Sequence, residues 1–389
     1  FEVASMSKMI VAATAMSLVD EGKLDLAAPI TTYVPWFALA NGYDASTITL
    51  ERLLSHSASF PCDTIAQCGT TTSGPRETFF AANPQPLWAP VGAIYDYSNT
   101  GFALAATVIE AAAGAAPGAY EQLARDRVFS PAGMTTATFD ATAAGAADHA
   151  TGYEIDSTGK VTSSWEPASL DCPLLHPPGG VRATATDYAH FAEMLLAHGG
   201  AGLTSASGAN MESPHVAIHT FATQSYGLGL VDQYSPYPDH ASVWHDGSLP
   251  GFTSEMWMIP DDGFAVIALV DARGPEPIAD DVVGDALGLF IAEARKVPPL
   301  KTSPATWSAY QGVYDDALGT LGQGVNVALD GGALVVDAPN ATDYGGAAAP
   351  VSGAMIQLAV DAWLMPDGTE ATFFPAGDGG APKYFVTRR

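Results

Sequence analysis

The 389-residue sequence predicts an α/β domain followed by a small all-β, barrel-like domain. Three observations carry this. Residues 9–19 are almost continuously apolar, strand-like segments joined by a hairpin signal fill 242–271, and short strand-like runs dominate after a proline-rich stretch at 296–304. The domains are placed at 1–298 and 305–389, with 299–304 as linker.

A helix is expected over 5–21. Ser5 and Ser7 suit its N-terminus, Gly22 sits where a C′ glycine belongs, and Ala and Met favour helix. A helix apolar all round is a buried one. Further helices are expected at 50–54, 102–113, 120–128, 186–197 (stopped by Gly199-Gly200) and 280–294. Strands are expected at 242–245, 252–259 and 263–270, the last two joined by Pro260-Asp-Asp-Gly263. The tail offers runs at 312–314, 325–329, 333–338, 355–360, 371–375 and 383–387, with turns at Asp330-Gly-Gly332 and 377–380.

Composition excludes several classes of function. Apolar residues make up 48% and charged residues 15%, which is ample for a core and argues against disorder. The net charge of −27 repels phosphate backbones and anionic lipid, so neither nucleic acid nor a membrane surface is an expected partner. No stretch reaches the roughly 18 uninterrupted apolar residues of a membrane span. Three cysteines are too few for a disulfide scaffold. Cys62 and Cys68 flank a short loop and could pair, leaving Cys172; three unpaired thiols is an equal alternative. Acidity and the loop pair favour secretion.

Three elements could do chemistry. In Ser5-Met-Ser-Lys8, Ser5 and Lys8 stand one helical turn apart on one face. A buried Lys loses its charge more readily and can serve as general base to the hydroxyl, while the helix N-terminus favours an alkoxide. In Tyr97-Ser-Asn99, a phenol near a cationic Lys can shuttle a proton, and the amide can donate to a substrate carbonyl. In His245-Asp-Gly-Ser248, Gly247 allows close approach of backbone to ligand, and the amides of Ser5 and Ser248 could form an oxyanion hole. Each element alone has an ordinary explanation: a cap, a loop tyrosine, a strand histidine. The sequence even supplies decoys. Ser157-Thr-Gly-Lys160 has the same spacing but lies in a polar turn, and His198-Gly-Gly200 is a helix stop. His215 and His219 are four apart but lack a companion carboxylate, so no metal is expected. Neither a G-x-S-x-G elbow nor a complete G-x-G-x-x-G is present.

Taken in order, Ser5-x-x-Lys8, Tyr97-x-Asn99 and His245-x-Gly247 resemble the motifs of the penicillin-recognising serine hydrolases. The branch resembled holds class C β-lactamases, D-alanyl-D-alanine carboxypeptidases, D-aminopeptidases and related esterases. Leu53-Leu-Ser-His-Ser-Ala-Ser-Phe-Pro61 and Pro178-Gly-Gly-Val-Arg-Ala-Thr-Ala-Thr-Asp187 resemble further family segments. The tail from Tyr310-Gln-Gly-Val-Tyr314 resembles the lipocalin-like domains of some members. The resemblance implies an antiparallel sheet flanked by helices, with a helical subdomain. It implies a serine hydrolase forming an acyl-enzyme on a small-molecule or short-peptide substrate, without metal or organic cofactor. Ser5 would attack, Lys8 and Tyr97 would share its proton, Asn99 would orient substrate, and His245 would assist substrate or the tyrosine. Gly247 and Ser248 would line the oxyanion site.

The sequence departs from the family in two places. Members carry a substantial segment before the nucleophile, so a chain opening at Ser5 is expected to be a fragment or processed product with a truncated sheet. His245-Asp246 replaces a Lys followed by a small or hydroxyl residue, and an acidic Asp246 is expected to disfavour substrates bearing a carboxylate. Acyl transfer to an amine needs the same residues as hydrolysis, and an idle relative acting as a binding module is the alternative outside catalysis. The sequence leaves oligomeric state open.

Overall fold

The computed structural model describes residues 1–62, 75–166, 171–197, 199–200, 202–218, 224–234, 241–275, 277–290, 304–316, 322–341, 348–359, 362–366, 370–374 and 384–388. The chain divides into two compact units. One comprises Phe1–Ala93, Tyr97–Val216 and Tyr226–Arg295; the other comprises Ile94–Asp96, Ala217–Ser225 and Lys296–Arg389. Cys68, His198, His219, the turn at 377–380 and linker residues 299–303 lie outside the described residues.

The first unit is built around α1 (Ser7–Asp20), in which every residue from Ser7 to Leu18 is buried. A helix with no polar face can only be central. Its expected first turn, from residue 5, is instead a 3-10 turn, Ala4–Met6. Gly22 closes it with φ +67°, as a C′ glycine should. The other helices are α2 (Leu50–Leu54), α3 (Arg76–Ala82), α4 (Asn99–Ala112), α5 (Tyr120–Ala124), α6 (Ser130–Ala132), α7 (Ala141–Ala146), α8 (His176–Gly179), α9 (Ala185–Leu196), α10 (Ser205–Glu212) and α11 (Ile278–Phe290). Helix α4 starts three residues before the expected 102 because Ser98 is its cap, its Oγ accepting the Gly101 N–H at 3.0 Å. Asn99 is thereby the first helical residue, not a cap.

Strands β1 (Gly152–Ile155), β2 (Val161–Trp165), β3 (Val216–Ile218), β4 (Gln224–Tyr226), β5 (Val231–Tyr234), β6 (Ala241–Leu249), β7 (Phe252–Ile259), β8 (Phe264–Val270) and β9 (Ala272–Arg273) form two sheets. One is six-stranded in the order β3-β4-β5-β6-β7-β8; the other runs β2-β1-β9. Ser157–Lys160 is the polar turn between β1 and β2, as expected. Strand β6 continues past 245, and that extension matters. Strand β5 pairs only with Ala241–Trp244, whereas β7 pairs with Val243–Leu249. From His245 onward one edge of β6 has no strand beside it among the described residues, and the Ala4–Met6 turn packs against β6.

The second unit is all-β after residue 310, in two four-stranded antiparallel sheets. β10 (Gly312–Asp316), β11 (Gly322–Asp330), β12 (Ala333–Ala338) and β13 (Val351–Ala354) make one; β14 (Ile356–Ala359), β15 (Ala362–Leu364), β16 (Glu370–Phe374) and β17 (Tyr384–Arg388) make the other. Trp363 and Phe373 are fully buried in its core, ringed by Trp307, Tyr310 and Tyr314. Among the described residues the pairings form these two sheets, and β10 of one packs against β17 of the other. Strands β13 and β15 were not expected, because Val351-Ser-Gly-Ala354 carries little strand signature. A further correction concerns the cysteines: Cys172 is disulfide-bonded, not the leftover thiol of a Cys62–Cys68 pair.

Candidate active site

The site begins with a lysine no solvent reaches. Lys8 is fully buried on the first turn of α1. Its Nζ donates to Ser5 Oγ at 3.0 Å, to Asn99 Oδ1 at 2.7 Å and to the Pro178 carbonyl at 3.0 Å. The same ammonium lies over the Tyr97 ring, 4.6 Å from its centroid, and 5.7 Å from that of Phe102. One side chain thus collects Ser5, Tyr97 and Asn99 from segments about ninety residues apart. Because Lys8 can only donate to it, Asn99 presents Oδ1 to Nζ and turns Nδ2 elsewhere.

The Ser5 backbone is set by long-range partners. Val3 N–H donates to Val181 O at 3.0 Å, Val181 N–H to Ser7 Oγ at 3.0 Å, and Ser254 Oγ–H to Val3 O at 2.8 Å. Ala4, directly before Ser5, is held at φ +48°, a left-handed backbone that a non-glycine residue adopts only at some cost. Beneath this turn, Glu2 pairs with Arg182 at 2.7 Å, both buried. Burial raises the Glu2 carboxyl to about 7, against the opposing pull of Arg182.

Strand β6 closes the site from the other side. A Cβ on Gly247 would lie 2.5 Å from Val3 O and from Ser254 Oγ, and 2.9 Å from Ser5 N. Only glycine lets the strand backbone come this close to the Ser5 amide. His245 faces the same side as Gly247 and is buried. Its Nδ1 lies 2.6 Å from the Asp246 carbonyl, which can only accept, so Nδ1 carries a proton. Its Nε2 lies 2.8 Å from Tyr226 Oη, and a neutral imidazole satisfies both bonds. The tyrosine it bonds is therefore Tyr226, although the Tyr97 ring is also close at 6.3 Å between centroids.

Asp246 and Ser248 alternate onto the opposite face of β6. Asp246 pairs in register with Glu255 on β7, and Glu255 bonds to Asp280 on α11. Burial, then Asp280 and Asp246, push Glu255 up to about 8; burial likewise raises Asp280. The Asp246 carboxylate nevertheless reaches back to His245, its Oδ1 lying 3.8 Å from Nδ1. From Ser248, the backbone alone is on offer to the site.

Sequence reasoning missed three participants. The Pro178 carbonyl belongs to a backbone and has no side-chain signature. Tyr226 reads as the start of an unfinished glycine pattern. His56 sits in a family-like segment, yet nothing in its spacing connects it with Tyr97, against which its ring packs at 4.3 Å. Among the described residues, no group of three or more His, Cys, Asp or Glu is arranged to hold a metal ion, and no helix is long and apolar enough to cross a membrane. His215, once weighed as a ligand, bonds Glu51 at 3.0 Å.

The profile of the Beta-lactamase family matches residues 1–288. Penicillin-binding protein 4 of Amycolatopsis lactamdurans is 26% identical over 330 residues, covering 81% of this chain and 84% of the relative. Unguisins hydrolase ungD' of Aspergillus campestris is 30% identical over 283 residues, which cover 69% of this chain and about half, 51%, of that protein. Among solved structures, a D-stereospecific amidohydrolase from Streptomyces sp. shares the fold at a TM-score of 0.61 and 22% identity, covering 76% of this chain and 87% of the other.

Proposed function

This chain belongs to the β-lactamase family of serine hydrolases, and we propose that it cleaves an amide or ester bond through an acyl-Ser5 intermediate. The observation that carries the reading is the set of three acceptors around Lys8 Nζ. An ammonium uses all three. A neutral amine keeps two N–H donors and one lone pair, and two of its neighbours, Asn99 Oδ1 and Pro178 O, can only accept. Ser5 Oγ–H, unlike these two oxygens, has a proton to give, and it lies 3.0 Å from Nζ. This supports Lys8 as general base to the Ser5 hydroxyl.

In the proposed reaction, the Ser5 Oγ proton passes to Lys8 as Oγ bonds the acyl carbon. The amides of Ser5 and of β6 at 247–248 face the developing oxyanion. The leaving amine or alcohol departs with the proton from Lys8, relayed by Tyr97. Water then attacks the acyl ester, restoring Ser5 and releasing the acid. Asn99 Nδ2 is the donor available to orient the acyl side chain. The third motif carries the His245 imidazole, bonded to Tyr226 and to Asp246 O, in place of a lysine ammonium. This favours neutral esters and amides, including amino-acid amides; the amidohydrolase neighbour supports including a D-amino-acid amide.

The test is intact mass after incubation with p-nitrophenyl acetate, p-nitrophenyl butyrate, a D-amino-acid amide and nitrocefin. A stoichiometric adduct on the Ser5 peptide, with turnover lost in Ser5→Ala, is expected. Undiminished turnover in Ser5→Ala would overturn the reading. So would folded protein that forms no adduct with any of the four.

A further inference from the structure

The local fold does not ask for a histidine at position 56. Helix α2 ends there, and residue 56 takes the left-handed conformation, φ +56°, that follows many helices. Glycine or asparagine is the residue such a position ordinarily selects. His56 is nevertheless almost completely buried, and three aromatic rings surround it. Tyr97 lies against it at 4.3 Å with the planes tilted by 35°, Tyr226 meets it edge-on at 4.6 Å, and Phe102 lies at 4.9 Å. Its Nδ1 accepts the backbone N–H of Ser98 at 2.9 Å. An atom that accepts an N–H carries no proton, so a neutral His56 holds its proton on Nε2.

These contacts fall on the Tyr97–Asn99 segment, which meets Lys8. The ring packs against Tyr97, and the bonded amide belongs to Ser98, between Tyr97 and Asn99. On the far side, Tyr226 carries the bond to His245. We propose that His56 is a positioning residue, holding the Tyr97–Asn99 turn in register with Lys8, and that its protonation releases that turn and sets the acidic limb of acylation. Adding a proton to Nδ1 places an N–H against the Ser98 N–H, and the bond must break. It also places a cation on rings that already share Lys8. The titratable groups facing His56 from the packed elements are the phenols of Tyr97 and Tyr226, with Lys8 across the Tyr97 and Phe102 rings and His245 behind Tyr226. Beyond His245, the Asp246 carboxylate stands 3.8 Å from its Nδ1.

The proposal rests on the acyl-Ser5 reading, and its test separates the two. His56→Asn keeps an acceptor the same number of bonds from Cα as Nδ1, tolerates the left-handed backbone, and does not titrate. His56→Phe keeps an aromatic ring and loses the acceptor. Acylation by p-nitrophenyl butyrate is followed by intact mass from pH 5 to 9 in wild type and both variants, with the imidazole nitrogen resonances of wild type recorded in parallel. Expected is a fall of roughly tenfold or more in the His56→Phe acylation rate at every pH, the cost of one positioning hydrogen bond. His56→Asn should stay near the wild-type rate at pH 8 and lose much of the acidic limb. Wild-type rates and an unchanged limb in both variants would overturn the positioning role. If wild type forms no adduct, the Ser5 reading fails, and the resonances still decide for His56: an Nδ1 protonated at neutral pH overturns its assigned role, and an unprotonated one upholds the bond to Ser98.

Discussion

Two segments of this chain have the same four-residue spacing and opposite fates. Ser5–Lys8 opens a helix, and its lysine is fully buried. Ser157–Lys160 turns between β1 and β2, where Asp156 Oδ1 accepts the Thr158 and Lys160 amides and both Ser157 and Lys160 are exposed. What separates them is the neighbouring sequence. A long apolar run after Lys8 drags the ammonium inside, and Asp156 with Gly159 makes a turn that leaves Lys160 in water. The lesson is that spacing proposes a nucleophile and base, whereas burial and the acceptors around the base give them their chemistry.

The sharpest way to break the comparison is to remove each lysine. Lys8→Ala should lower the acylation rate by about 10²–10⁴, measured as adduct formation. A Lys8→Ala protein that acylates normally would dissolve the distinction between the two segments. Next in size is Gly247→Ala. The new methyl must displace Val3 O, Ser254 Oγ or the Ser5 amide, and a loss of about 10²–10³ is expected from the misplaced oxyanion donor. Retained rates would mean that β6 does not set that amide.

A smaller effect tests whether burial alone perturbs charge here, away from Ser5. Glu255 binds its proton more tightly folded than unfolded. Its stabilising contribution is therefore full below about 4.5 and is lost as pH rises toward about 8. Glu255→Gln mimics the protonated acid and should raise Tm at pH 9, by roughly 2–4 °C per kcal/mol regained, with little change at pH 4. Parallel Tm curves for variant and wild type across that range would refute the buried, proton-sharing pair. Smallest of all, Lys160→Ala should leave acylation unchanged and stability within about 0.5 kcal/mol.

The sequence made parts of this molecule legible for physical reasons. That Ser5, Lys8, Tyr97, Asn99 and Gly247 gather in one place could be read because residue type and local flanking patterns marked them. The central helix was readable because eleven nearly continuous apolar residues have only one place to go. Tyr226, His56 and the Pro178 carbonyl were not, because each acts through a contact that tertiary packing makes and no periodicity foreshadows.

The segment around residues 178–183 has a consequence for how this protein would fail. It supplies the acceptor for Lys8 through Pro178, clamps Val3 and Ser7 through Val181, and pairs Glu2 through Arg182. Ser5 and Lys8 are therefore moored to the same short stretch of chain. If that stretch opens as one cooperative unit, a fluctuation far smaller than global unfolding releases both together. Loss of activity would then precede loss of the fold on heating, and amide exchange at Val3 and Val181 would keep time with it.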